Sequence, residues 1–116
     1  MKRILSVYVA GPMTSSGDRV ANIRAAIDAS NQLLDIGIFP YCPHLSELWQ
    51  LVHPRTYEEW MSLDLFFLKK CDVVLRLPGS SVGADREEQH ANRHGIRVCR
   101  SVLEIKTHNH KCDTYT

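Results

Sequence analysis

The most constraining feature of this sequence is a strand with no wet face. Ile4-Leu5-Ser6-Val7-Tyr8-Val9-Ala10 is short, largely apolar and β-rich, and it stops at Gly11-Pro12. A run apolar on both faces needs cover on both faces, which a parallel sheet between helices supplies. Cys71-Asp72-Val73-Val74-Leu75-Arg76-Leu77 repeats the pattern and stops at Pro78-Gly79. Ile38-Phe39 with Tyr41-Cys42 reads as a shorter strand, and Pro40 within it argues for an edge position. Ile96 to Val102 gives a fourth.

Helical patterns alternate with these strands. Val20, Ile23, Ile27, Ser30 and Leu34 recur at three- and four-residue spacing, a stripe bounded by Asp18 and Gly37. Leu45, Leu48, Trp49 and Val52 fit a helical turn or two, closed by His53-Pro54. Thr56-Tyr57-Glu58-Glu59 is a capping box, and it opens a helix running to about Lys70. A Ser-Ser-Val-Gly loop precedes a helix over roughly Ala84 to His94, ended by Gly95. The polar segment 103–116 is open to a short helix, a weak strand or fraying, so the domain is placed at residues 1–102.

This alternation predicts an open, mainly parallel sheet with helices on both faces. Ligands of such sheets bind beyond the carboxyl ends of the strands, where the strand order switches. The loops to watch are therefore Gly11 to Asp18 and Pro78 to Gly83.

Composition narrows the function classes. The chain has 116 residues, one domain's worth, and is 44% hydrophobic, so it can bury one core without staples. Its net charge is +1, which gives no general pull toward nucleic acid or an anionic membrane. No apolar run approaches the roughly 20 residues of a spanning helix, and Met1 to Ala10 is too short for a signal peptide. Cys42, Cys71, Cys99 and Cys112 form no CxxC pair and read as free thiols of a cytoplasmic protein.

Two carboxylates stand out of place. Asp64 has Trp60, Phe67 and Leu68 as helical neighbours, on or beside the apolar stripe. Such a group must be paired, be hydrogen-bonded or line a cavity; an edge position reaching solvent or Arg76 is the plainer alternative. Glu87 shares a face with Ala84 and Ala91, whose small side chains leave room above it. Its plainer alternative is a dipole partner for the helix N-terminus. Glu88 and Asp85 point elsewhere and read as solvated. Tyr8, two residues before the end of the first strand, is core packing with its hydroxyl at the rim, or part of a site.

Other constellations fail. The first loop carries Thr14, Ser15 and Ser16, but no GxxxxGK[ST], GxGxxG or GxSxG is present. His108, His110 and Cys112 lack a partner pair for a metal. Cys42 beside His44 is sequence adjacency, not thiol–imidazole geometry.

Four segments together resemble the nucleoside 2-deoxyribosyltransferase-like superfamily, and most closely its small bacterial and phage branch related to 2′-deoxynucleoside 5′-phosphate N-hydrolases. They are Tyr8-Val9-Ala10-Gly11-Pro12-Met13, then Pro43-His44-Leu45, then Trp60-Met61-Ser62-Leu63-Asp64-Leu65 through Cys71-Asp72-Val73-Val74, and finally Leu77 through Glu87 to Ala91 and Gly95.

The resemblance implies a Rossmann-like, flavodoxin-like sheet of four to five strands. It also implies cleavage or transfer of the N-glycosidic bond of a nucleoside or nucleoside 5′-monophosphate. Ser81, Gly83, Glu87 and Ala91 match the pattern S-x-G-x-x-x-E-x-x-x-A, which makes Glu87 the nucleophile. Asp64 matches the acid/base or base-orienting aspartate and Tyr8 the strand-end tyrosine. Gly11, Pro12, Met13, His44, Ser81 and Gly83 fall among the substrate-binding positions. No metal or organic cofactor is implied, and the small-molecule partner is a nucleoside or nucleotide rather than a nucleic acid polymer.

The first loop departs from the phosphate-holding form: its first arginine is Arg19. Ser80, Ser81, Ser15 and Ser16 are the remaining candidates for a phosphate. Trp49, Tyr57 and Trp60 offer a stacking surface for a base, or pack under the middle loop. A homodimer or higher homo-oligomer is expected, with Leu48, Trp49, Leu51 and Met61 as candidate contacts. The alternative function is a nucleotide-binding module on the same fold without turnover.

Overall fold

The computed structural model describes residues 2–14 and 18–114. Four strands form one sheet: β1 (Ser6–Ala10), β2 (Phe39–Tyr41), β3 (Val73–Arg76) and β4 (Arg97–Cys99). Their order is β2-β1-β3-β4, and every neighbouring pair is parallel. The chain steps from β1 out to β2, then returns across β1 to β3. The strand order therefore reverses between β1 and β3, and the crevice opens at their carboxyl ends. Pro40 lies in β2 at the edge of the sheet, where a missing N–H disturbs no second neighbour.

Helices cover both faces. On one side α1 (Arg19–Asp35) and α5 (Val102–Thr114) pack with Val7, Val9, Val73, Leu75 and Cys99. On the other, α3 (Tyr57–Leu68) and α4 (Val82–Arg93) pack with Tyr8, Ala10 and Val74. Alternation along β1 thus sends Val7 and Val9 to the first face and Tyr8 to the second. Between β2 and α3 the chain makes a 3-10 turn (Pro43–Ser46) and the short helix α2 (Glu47–Val52).

Local chemistry explains the boundaries. Asp18 caps α1 by accepting from the Val20 and Ala21 N–H groups. Thr56 and Glu59 form the reciprocal capping box of α3. Gly37 and Gly95 follow α1 and α4 with φ of +78° and +68°, a conformation only glycine adopts freely.

Three expectations change. The large apolar residues of α1 are not its core stripe: Val20, Ile27 and Leu34 are exposed, and Ala26, Ala29 and Leu33 are buried instead. Small alanines let the helix lie close to the sheet, yet they give little periodic signal in sequence. The fourth strand is only three residues long, Arg97–Cys99, because Val102 already opens a helix. The segment after it is helix α5, with Ile105, Asn109 and Cys112 buried.

Candidate functional site

A cavity of about 490 Å³ opens at the switch between β1 and β3. That lies inside the roughly 300–1,000 Å³ range of small-molecule sites. Its wall includes Gly11 and Met13 after β1, His44 after β2, Asp64 on α3, and Ser81, Gly83 and Glu87 at the start of α4. Residues far apart in sequence converge because the parallel sheet delivers every strand's carboxyl end to one edge.

Glu87 is held there by the loop before it. Arg76, the last residue of β3, is buried and turns back on that loop. Its Nε donates to the Leu77 carbonyl at 3.1 Å and its Nη2 to the Gly79 carbonyl at 2.8 Å. Its Nη1 lies 3.2 Å from Asp85, so the first turn of α4 is tied to the strand end. Ser81 then caps α4 by accepting from the Ala84 N–H at 3.1 Å. The Val82 and Gly83 N–H groups, also in the first turn, have no intrahelical acceptor, and both residues line the cavity.

Within α4, Ala84, Glu87 and Ala91 form the buried face. The Tyr8 hydroxyl donates to Glu87 Oε2 from behind, on the sheet side. Burial pushes the Glu87 carboxyl up to about 8; the Tyr8 bond lowers it, nearby Asp64 raises it further and Arg76 opposes. Burial also drives the Tyr8 phenol well above its ordinary range, so it remains a donor.

Asp64 faces the same cavity from α3. It accepts from the Tyr41 hydroxyl at 3.3 Å, and burial raises it to about 6 against that bond. Asp64 and Glu87 therefore stand on one side of the sheet and share one space. Arg76, the other partner considered for Asp64, is engaged by Asp85. Glu88 turns away and binds Arg100 through both oxygens, at 2.8 and 2.9 Å.

The first loop is fixed by two side chains. His44 is buried, and its Nε2 meets the Pro12 carbonyl at 3.0 Å. A carbonyl only accepts, so Nε2 carries the hydrogen and Nδ1 faces the Cys42 thiol at 3.9 Å. Burial holds the imidazole below its usual range, favouring this neutral form. Asn22 donates to the Met13 carbonyl at 3.2 Å. At Gly11 a Cβ would stand 3.0 Å from Leu77 Cβ, so any larger residue would push the Leu77 side chain aside where the ends of β1 and β3 meet.

Some sequence candidates sit differently. Tyr8 is fully buried and reaches the cavity through Glu87. Pro12 turns its carbonyl to His44 and is not part of the wall. Tyr57 and Trp60 line the cavity, while Trp49 packs edge-on against Trp60 at 4.9 Å outside it. Met61 is buried in the wall, so it is no contact surface for a second copy. Ser15 and Ser16 lie outside the described residues.

Sequence reasoning missed Tyr41, Glu47, Gln50 and Arg55. Gln50 lies on the short helix α2, whose sequence signal comes from its apolar residues, and Arg55 lies in the irregular link between α2 and α3. Arg19 lines the wall but is ion-paired with Glu47. Among the described residues no group of three or more His, Cys, Asp or Glu is placed to hold a metal ion. No described helix is long and apolar enough to cross a membrane.

The sheet order and the crevice define a Rossmann-type α/β protein. The chain belongs to the family described as Domain of unknown function (DUF4406), whose model matches residues 5–100. Among solved structures it is similar to a 2-deoxyribosyltransferase from the psychrotolerant bacterium Bacillus psychrosaccharolyticus. The TM-score is 0.59 at 19% sequence identity, over 86% of this chain and 79% of that one. No curated protein matches it in sequence.

Proposed function

We propose that this protein cleaves or transfers the N-glycosidic bond of a deoxynucleoside, a nucleoside or its 5′-monophosphate, with Glu87 as nucleophile. The observation that carries the reading is a buried Glu87, bonded to Tyr8 and sharing one cavity with Asp64. The likeness in fold to a 2-deoxyribosyltransferase supports the same reaction class.

The chemistry follows from the charges. Breaking the C1′–N bond leaves positive charge on the sugar, and a carboxylate beneath C1′ stabilises it. A Glu87 oxygen forms the ester to C1′ while the bond's electron pair leaves with the base. Asp64, protonated, gives its proton to the departing base. Water, or the nitrogen of a second base, then attacks C1′ and frees Glu87, with Asp64 taking the incoming proton. The two raised carboxyl groups titrate as a pair that shares one proton through neutral pH. With Glu87 raised to about 8 and Asp64 to about 6, that proton rests mainly on Glu87, and the reaction draws on the minor form in which Asp64 holds it and Glu87 is ionised.

Gly11, Met13, His44, Ser81 and Gly83 shape the remaining wall around the sugar and base. Pro12 acts indirectly, by anchoring the loop through His44. The protein works in the cytoplasm as a homodimer in this reading, because α2 buries none of its residues within the chain.

A panel of nucleosides and 5′-monophosphates, with free base followed by chromatography, tests the assignment. Glu87→Ala should lower release by at least ~10³-fold, as expected for loss of a nucleophile. Glu88→Ala should stay within about twofold, since it loses only a surface ion pair. Equal release by wild type and Glu87→Ala rejects the mechanism. Tight nucleotide binding without release favours the non-catalytic binding module.

A further inference from the structure

We propose that Tyr41 is a positioning residue, which holds the Asp64 carboxyl group in register with Glu87 through a cross-strand pair with Tyr8. The inference rests on the reading of Glu87 and Asp64 as a working pair.

Tyr8 and Tyr41 are direct partners on the adjacent parallel strands β1 and β2. Their rings stack at 5.5 Å between centroids and 18° between planes. Phe67 stacks on the other side of Tyr41, at 5.1 Å and 16°. Phe67 stands three residues after Asp64 on α3, so one helix supplies both the clamp on the ring and the carboxyl group its hydroxyl meets. Tyr41 is thus fixed from both faces, and its hydroxyl has little freedom left.

Each phenol serves one carboxyl group. Tyr8 donates to Glu87, and Tyr41 donates to Asp64 at 3.3 Å. Two stacked phenols with near-parallel rings, each bonded to one acid, tie the placement of one carboxyl group to that of the other. Tyr41 is not part of the cavity wall, so it acts through Asp64 rather than on substrate.

The titratable and charged groups that bear on this pair come from five places. Tyr8 is on β1, Tyr41 on β2, Arg76 ends β3, Glu87 is on α4, and Cys71 follows α3 beside Tyr41. Among these, the Tyr41 hydroxyl is the group that donates a hydrogen bond to Asp64. Tyr41→Phe removes the hydroxyl and keeps the stack.

The experiment is a carbon-13 carboxyl titration by NMR on the full chain, with and without Tyr41→Phe. The Asp64 midpoint should rise by about one unit in the variant, the size of one lost hydrogen bond to a carboxylate. An Asp64 midpoint that stays put in the folded variant overturns the proposal. In the base-release assay, Tyr41→Phe should lose roughly tenfold in kcat with KM within about twofold. The limb of the pH profile set by Asp64 should move up with it. Wild-type release that does not depend on Glu87 overturns the reading of the pair, while the titration still judges Tyr41. Glu87-dependent release that is indifferent to Tyr41→Phe overturns Tyr41 alone.

Discussion

Glu87 is an ionisable group kept where water does not reach. It is 6% exposed between two alanines, and its carboxyl is raised from 4.5 to about 8. Between those values the folded protein holds a proton that the unfolded chain has released. Stability therefore falls as pH rises from about 4.5 toward about 8. Glu87→Gln keeps the shape and removes the charge. The variant should melt with the wild type at pH 5. At pH 8.5 it should melt higher by about 4–8 °C, for a gain of about 1–2 kcal/mol. Calorimetry at the two pH values reads this directly, and a variant less stable at both rules out the burial account. The same carboxylate would be both the nucleophile and a source of instability, which is a familiar trade at active sites. Glu87 was legible in the sequence because small neighbours at three- and four-residue spacing expose the oddity of a carboxylate between them. Tyr41 was not legible. Its meaning lies in the pairing with Tyr8, set by strand register across 33 residues, and no local pattern reports that.

Helix α5 shows how one buried side chain can join an element to a distant strand. Asn109 is buried, and its Oδ1 accepts from the Ile4 N–H at 2.8 Å while its Nδ2 donates to the Ile4 carbonyl at 2.8 Å. The side-chain amide stands in for a neighbouring strand's peptide group just before β1 begins. Asn109→Leu would leave both Ile4 groups without partners, at about 2–4 kcal/mol in all. Urea denaturation should show that loss as a lower midpoint with an unchanged slope. A loss under about 0.5 kcal/mol would mean that water replaces the amide. In sequence the segment is a polar tail, since the partner lies 105 positions away. The capping box of α3, the edge proline of β2 and the glycine ends of α1 and α4 were readable because their partners are within a few residues. Helix α1 was readable as a helix but not in its orientation. Its exposed Val20, Ile27 and Leu34 outweigh the buried alanines in any count of hydrophobicity.

At the scale of the whole molecule, the surface around α2 is the unresolved element of the energetics. Leu45, Leu48 and Leu51 are 64%, 69% and 79% exposed on consecutive turns. A short helix with no fully buried residue, held to its own chain by Trp49 and Gln50 against Trp60, gains little stability from its own core. Yet Ser46, Glu47 and Gln50, on the same stretch, form part of the cavity wall. The segment is therefore both a wall of the candidate site and an apolar surface, and whatever covers the surface steadies the wall. A second copy meeting through this face predicts a linked loss of assembly and activity. Leu48→Glu with Leu51→Glu, both exposed, should leave the monomer's core intact. Sedimentation at micromolar concentration should give twice the chain mass for the wild type and the chain mass for the variant. Base release should fall at least ~tenfold with the same substitutions, by disorder of a wall that positions the base. A wild type that sediments as a monomer at every concentration tested rejects the dimer. A monomeric variant with full activity separates the surface from the site and leaves α2 to be steadied by the Arg19–Glu47 pair within its own chain.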